Sequence, residues 1–186
     1  MPVVIGAKRE STFEDPIGLL GDCHRRVERF LGVLVKVASD ARGGVLSGEQ
    51  RGALEAALAY FRNAAPKHTA DEEESLFPRM RSRATPEMAA VLGRIAELES
   101  DHAIAASGHD EVERLGRRWL EAGTLDPESA QQLVAVLEGL SAMYQQHIEV
   151  EEAEVFPAAA AELTKDELKA VGEEMAARRG AAQAIR

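Results

Sequence analysis

Residues 67–78 read KHTADEEESLFP and residues 146–157 read QHIEVEEAEVFP. Each string carries a His, a Glu four residues later, a second Glu beside it, and a closing Phe-Pro. The chain has only five histidines in 186 residues, so the repetition decides how it is read. A His and a Glu at i and i+4 project from one face of a helix. The fold follows from what that face meets.

The flanking apolar residues answer this. Leu54, Leu58, Phe61 and Ala65 lead to His68 and Glu72 in steps of three and four. Leu133, Leu137, Leu140 and Tyr144 lead to His147 and Glu151, shifted throughout by 79 residues. Two further segments repeat with a shift of 78: Ile17, Leu20, His24, Val27, Leu31, Leu34, and Ile95, Leu98, His102, Ala105, His109, Val112. Alternating steps of three and four form the seam of a bundle helix. The chain is a helical hairpin written twice. The expected fold is all-α, an up-down four-helix bundle with a short C-terminal fifth helix.

Helix punctuation agrees. Asp15-Pro16, Ser47 with Gln50, Thr85-Pro86 and Asp126-Pro127 open the four long helices. Thr164 with Glu167 opens the fifth, and Gly180 closes it. Loops near 41–46, 81–85, 123–126 and 161–164 are short, which makes consecutive helices antiparallel neighbours. The expected division is an arm over residues 1–14, the bundle over 15–162, and a helix and tail over 163–186. Pro66, inside the second helix, removes a backbone donor and predicts a kink or bulge just before His68.

Composition excludes several roles. A hydrophobic fraction of 45% argues against a disordered acidic chain. The net charge of −10 argues against nucleic-acid or anionic-membrane partners, which need a basic face. No apolar run approaches the ~20 residues of a membrane span, and MPVVIGAKRESTFED lacks a leader's apolar core. Cys23 is the only cysteine, so no internal disulfide forms. The expected location is the cytoplasm.

Four histidines, His24, His68, His102 and His147, occupy repeat-related seam positions, with Glu72 and Glu151 one turn after two of them. A buried Glu is unfavourable unless it is paired or binds a metal. No Lys or Arg stands at these seam positions, so the carboxylates lack a salt-bridge partner there. A single His-x3-Glu is more often a satisfied polar pair. Two in register, with two more symmetry-related histidines in the same layer, point to a metal pair bridged by the carboxylates. Imidazole with carboxylate suits iron, manganese or zinc.

The pattern H…HxxxE…H…HxxxE resembles the hemerythrin-like (HHE cation-binding) family over about residues 15–160. EEESLFP and EEAEVFP look like that family's helix ends, and DPIGLLGDCH like the start of its first helix. The resemblance implies a hemerythrin-like bundle and a non-haem di-iron centre. Two iron ions would be held by His24, His68, Glu72, His102, His147 and Glu151, oxo- or hydroxo-bridged when oxidised, with Mn or Zn as substitutes. Oxygen-carrying relatives have a further helix-3 histidine where this chain has Ala106. They also end on an Asp five residues after its His, where this chain has Glu151 at four. The missing imidazole implies a more open coordination sphere. Ferritin-like di-iron bundles use Glu-x-x-His on two helices and a lone Glu on two others, and here the order and the lone residues differ.

Other residues extend the reading. His109 lies ~10.5 Å along the helix axis from His102, too far to share its metal. It is either a core histidine or a pocket-lining acid/base. Tyr144 faces the seam one turn before His147, and its repeat mate is the small Ala65, leaving space beside the phenol. Tyr144 and His109 are the candidate catalytic residues. Cys23 falls on a second apolar strip with Phe30 and Val37 and reads as buried and inert. Glu73 or Glu152 could orient a ligand histidine. Two functions fit. One is a di-iron oxidoreductase acting on peroxide, O₂ or nitric oxide. The other is a non-enzymatic iron or oxygen sensor working through a redox or signalling protein partner, with the fifth helix as its docking surface.

Overall fold

Asp15, Ser47, Asp126 and Thr164 each accept a hydrogen bond from the first turn of a helix through a side-chain oxygen. Ser47 with Gln50 and Thr164 with Glu167 form reciprocal capping boxes. The helices so opened belong to a computed structural model that describes residues 10–83, 85 and 88–181. Every regular element among the described residues is helical. They are α1 (Pro16–Ala41), α2 (Gly48–Asn63), α3 (Ala65–Ala70), α4 (Phe77–Arg81), α5 (Ala89–Ala122), α6 (Pro127–Val150), α7 (Phe156–Glu162) and α8 (Lys165–Arg178). Two wide π-helical turns, Asp71–Leu76 and Glu151–Val155, join α3 to α4 and α6 to α7.

The chain therefore forms four long rods and α8. α1 packs against α2 and α6, and α5 packs against the same two, giving a helical bundle. None of the described helices is long and apolar enough to cross a membrane. Pro66 breaks its rod as expected: α2 stops at Asn63, and α3 restarts with the proline in its first turn. The helix expected from Thr85-Pro86 starts later, at Ala89. Pro86 lies outside the described residues, as do residues 1–9 of the expected arm and 182–186 of the tail. The Met88 N–H donates to the Thr85 carbonyl at 3.1 Å, forming the turn before α5.

The second and fourth rods run on to Arg81 and Glu162, up to the loops expected near 81–85 and 161–164, and Phe77-Pro78 and Phe156-Pro157 lie inside them. Each proline sits in the first turn of a new α-helical segment, where its missing N–H is not needed. The preceding turn widens, so that the N–H of Phe77 bonds the Glu72 carbonyl and that of Phe156 bonds the Glu151 carbonyl, five residues back. In addition, residues 10–14 fold back on the bundle: the Ser11 N–H donates to Asp22 at 2.6 Å, and Phe13 packs on the core. A Cβ on Gly172 of α8 would overlap the Phe13 carbonyl, so this contact requires glycine.

The core is in two parts. One cluster runs from Val27 through Leu58, Leu115 and Trp119 to Leu140. The other gathers Leu20, Phe77, Met80, Ile95, Phe156, Val171 and Met175. The apolar side of α8, with Val171, Gly172, Met175 and Ala176, is buried within the molecule. Lys169 and Glu173 remain outside.

Candidate metal centre

Between the two apolar clusters lie His24, His68, His102, His147, Glu72 and Glu151, all buried, both glutamates fully. α1 supplies His24, α3 His68 and α5 His102, while α6 supplies His147. Each glutamate comes from a wide turn. The four Nε2 atoms converge on the two carboxylates. Glu72 Oε1 is 3.4 Å from His68 and 4.0 Å from His24, and its Oε2 is 3.4 Å from His102. Glu151 Oε2 is 3.0 Å from His24 and 3.3 Å from His147. One Glu72 oxygen thus faces His24 and His68, and the other faces His102.

Donor atoms about 3 Å apart are the neighbours expected around a cation with bonds of ~2.1 Å. Two such groups are present: His24, His68, Glu72 and Glu151, and His102, His147 and Glu151. The Nε2 atoms of His24 and His102 and all four carboxylate oxygens are buried without a hydrogen-bond partner. Such orphans destabilise a core that nothing else occupies, so the donor set fits a metal.

The electrostatics of the protein portion agree. Burial, then repulsion from Glu151, holds Glu72 well above the usual carboxylate range. Burial pushes Glu151 the same way, but the His147 and His24 rings outweigh it and hold Glu151 low. Burial holds His68 well below the usual imidazole range, in the neutral form that binds metals.

Each repeated string also serves the other half of the chain. Glu152 Oε1 lies 3.0 Å from His24 Nδ1, and Phe156 stacks on that ring at 5.3 Å. Reciprocally, Glu73 Oε1 lies 2.8 Å from His102 Nδ1, and Phe77 stacks on His102 at 6.4 Å. A carboxylate on Nδ1 fixes that proton and turns the Nε2 lone pair inward. The second Glu and the Phe of each string therefore orient the opposite half's lone histidine.

Residues 15–159 match the Hemerythrin HHE cation binding domain. The chain belongs to the hemerythrin family. No curated protein matches it. Among hemerythrin-type features, the histidine and glutamate positions stand together here, with His/Glu clusters able to hold a metal.

His109 and Tyr144 also meet, their Nε2 and Oη sharing a hydrogen bond of 2.9 Å. Both line a cavity of about 290 Å³ with Phe61, Ala65, His102 and Ala106. A narrow space beside it, lined by all four ligand-candidate histidines, shares Ala65, His102 and Tyr144. The phenol thus stands between cavity and centre. Burial lowers the His109 pKa to about 4 and raises that of Tyr144 above its ordinary value, so both are neutral. Cys23 is buried beside Arg26, whose Nη2 lies 3.1 Å from the sulfur, and burial raises its pKa.

Two features escaped the sequence reading. Asp101 Oδ2 lies 3.4 Å from His147 Nδ1, and nothing in the helical seam marks it. Asp71, fully buried, is held by Arg178 and Arg179 of the C-terminal region. Asp71 stands in an acidic run, and no local spacing marks it as the partner of arginines more than 100 residues away.

Proposed function

We propose that this protein holds two iron ions in an up-down four-helix bundle and redox-processes a small molecule: peroxide, O₂ or nitric oxide. The observation that carries the reading is the convergence of buried, unpartnered Nε2 and carboxylate atoms in two groups that share Glu151. In this reading Glu72 and Glu151 bridge, and His24, His68, His102 and His147 complete the two sites. Manganese or zinc are substitutes. Bound iron supplies one-electron redox chemistry toward the small molecule.

The chain's own residues do the rest. Glu152, Glu73 and Asp101 hold the Nδ1 atoms of His24, His102 and His147. Buried Leu58, Phe61 and Val112 give the cavity an apolar wall. Ala106 leaves open a space that a larger side chain would fill. Tyr144 lines both the cavity and the space beside the centre, and its Oη, hydrogen-bonded to neutral His109, can hold a proton there. The reading makes the protein a cytoplasmic one.

Metal analysis with an optical spectrum of aerobically purified protein tests this. The expected result is two irons per chain with near-ultraviolet charge-transfer bands, and a chain that binds no metal refutes the reading. Ala106→His should slow peroxide consumption in stopped-flow assays. An unchanged rate, with the new imidazole seen on iron, would remove Ala106 from the reactive region. The alternative, a sensor acting through a protein partner, is favoured by one observation: α8 touches the turn that carries Glu72. Metal-dependent binding of a protein, without turnover of peroxide, would select it.

A further inference from the structure

The helix α8 lies beyond residues 15–159, which match the family, yet it grips one of the two ligand-bearing turns. Arg178 Nη1 donates to Asp71 Oδ1 at 3.0 Å, and its Nη2 donates to Ser75 Oγ at 2.9 Å and to Glu74 Oε2 at 3.1 Å. Arg179 Nη2 donates to Asp71 Oδ2 at 2.6 Å. Asp71 and Ser75 are fully buried. Asp71, Glu74 and Ser75 all belong to the wide turn Asp71–Leu76, which also carries Glu72.

We propose that Arg178 and Arg179 are positioning residues for the metal centre. Their clamp holds the wide turn in the register that aims the Glu72 oxygens at His24, His68 and His102, and α8 is a strap over one half of the site. The proposal rests on the reading of Glu72 as a ligand.

The opposite half supplies the argument. There the positions of Asp71, Glu74 and Ser75 are filled by Val150, Ala153 and Glu154. Val150 packs on the core, and Glu154 reaches Arg94 in an exposed pair at 3.3 Å. An apolar residue thus packs at the head of the second turn, so burial of a charge at Asp71 is not required for packing. Nor does α8 need the clamp for docking, because its apolar side is already buried and Arg83 pairs with Glu167 at 2.6 Å. What the buried charges add is direction. One guanidinium spans three side chains across the π turn with charge-assisted bonds of fixed direction.

The test compares the double variant Arg178→Met/Arg179→Met, Asp71→Val, and the control Arg83→Met. In metal-free protein, hydrogen exchange of the Phe77 amide, which closes the first wide turn, should accelerate about tenfold or more in the double variant and in Asp71→Val. The Phe156 amide, which closes the second, should stay within about twofold of its original rate. In protein loaded with Co(II), the metal should pass to a chelator about tenfold faster from the double variant and from Asp71→Val than from the parent chain. Arg83→Met should change neither. Equal acceleration at Phe77 and Phe156, or none at Phe77, would overturn the proposal. If the double variant fails to fold, Asp71→Val, which copies Val150, decides by the same two amides. If the parent chain binds no Co(II), the metal reading fails, while the exchange comparison still decides whether α8 holds the turn.

Discussion

The two halves of this chain each contribute the same three side chains, two histidines and a glutamate, to a shared centre but support them differently. In the second half, the His147 ring has Asp101 behind its Nδ1. The repeat mate of Asp101 is Cys23, and in the first half His68 Nδ1 is buried with no partner. In the first half, the turn bearing Glu72 is clamped by two arginines from α8, whereas the turn bearing Glu151 starts from an apolar Val150. What faces the common centre obeys the repeat, as do Glu73 and Glu152 behind the two lone histidines, while Asp101 and the arginine pair have no counterpart in the other half. A central cation constrains the atoms that touch it. Supports have only to hold those atoms still, and a carboxylate, an arginine pair or an apolar wall will do so.

The comparison breaks most visibly at the carboxylates. Glu72→Ala and Glu151→Ala should each lower tight metal occupancy from two ions toward one or none, measured by metal analysis after dialysis. Metal binding should also raise the melting temperature of the parent chain. Saturation at ~1,000 times the dissociation constant adds about 4 kcal/mol, or roughly 10 °C for a domain of this size. Two ions retained in both variants would end the bridging role.

Without metal, the two glutamates should separate. Burial and the Glu151 carboxylate push Glu72 toward its neutral form, so Glu72→Gln should leave metal-free stability within ~1 kcal/mol or raise it. Glu151 is held ionised against His24 and His147, so Glu151→Gln should destabilise by about 3 kcal/mol in urea unfolding. Equal losses would show the pair to be equivalent.

The third test uses His109, whose repeat mate is Leu31. Its folded pKa of about 4 lies below the ordinary 6.5. Between those values the unfolded chain binds the extra proton, so its contribution is complete above pH ~6.5 and is lost as pH falls toward ~4. The separation corresponds to about 3 kcal/mol, nearer ~2 once partial solvent contact is allowed for. His109→Leu should flatten that part of the pH–stability curve, and an unchanged slope would place the loss elsewhere. The smallest effect belongs to the exposed Arg94–Glu154 pair of the second turn. Arg94→Ala should leave the urea unfolding midpoint and the metal content close to those of the parent chain.

Most of the centre was legible in one dimension because helical periodicity is local. A seam with steps of three and four puts His24, His68, Glu72, His102, His147 and Glu151 on inward faces, whatever surrounds them, and the family match covers the same residues. Pro66 likewise announced its break, since a missing N–H acts on its own turn. The wide turns were less legible. The Phe-Pro strings stand near the ends of their rods, but nothing in them announces the bonds that reach five residues back, to Glu72 and Glu151.

The sequence alone determined the all-helical repeat, the inward set of four histidines and two glutamates, and the helix caps, because each depends on spacing within a turn or two. The tertiary structure alone decided the rest. It showed that Glu152 and Phe156 serve His24 while Glu73 and Phe77 serve His102, that Asp101 backs His147, that His109 meets Tyr144 in a cavity, and that α8 clamps Asp71. These contacts join residues far apart in the chain. Which residue meets which depends on how the rods pack side by side, and no local period encodes that.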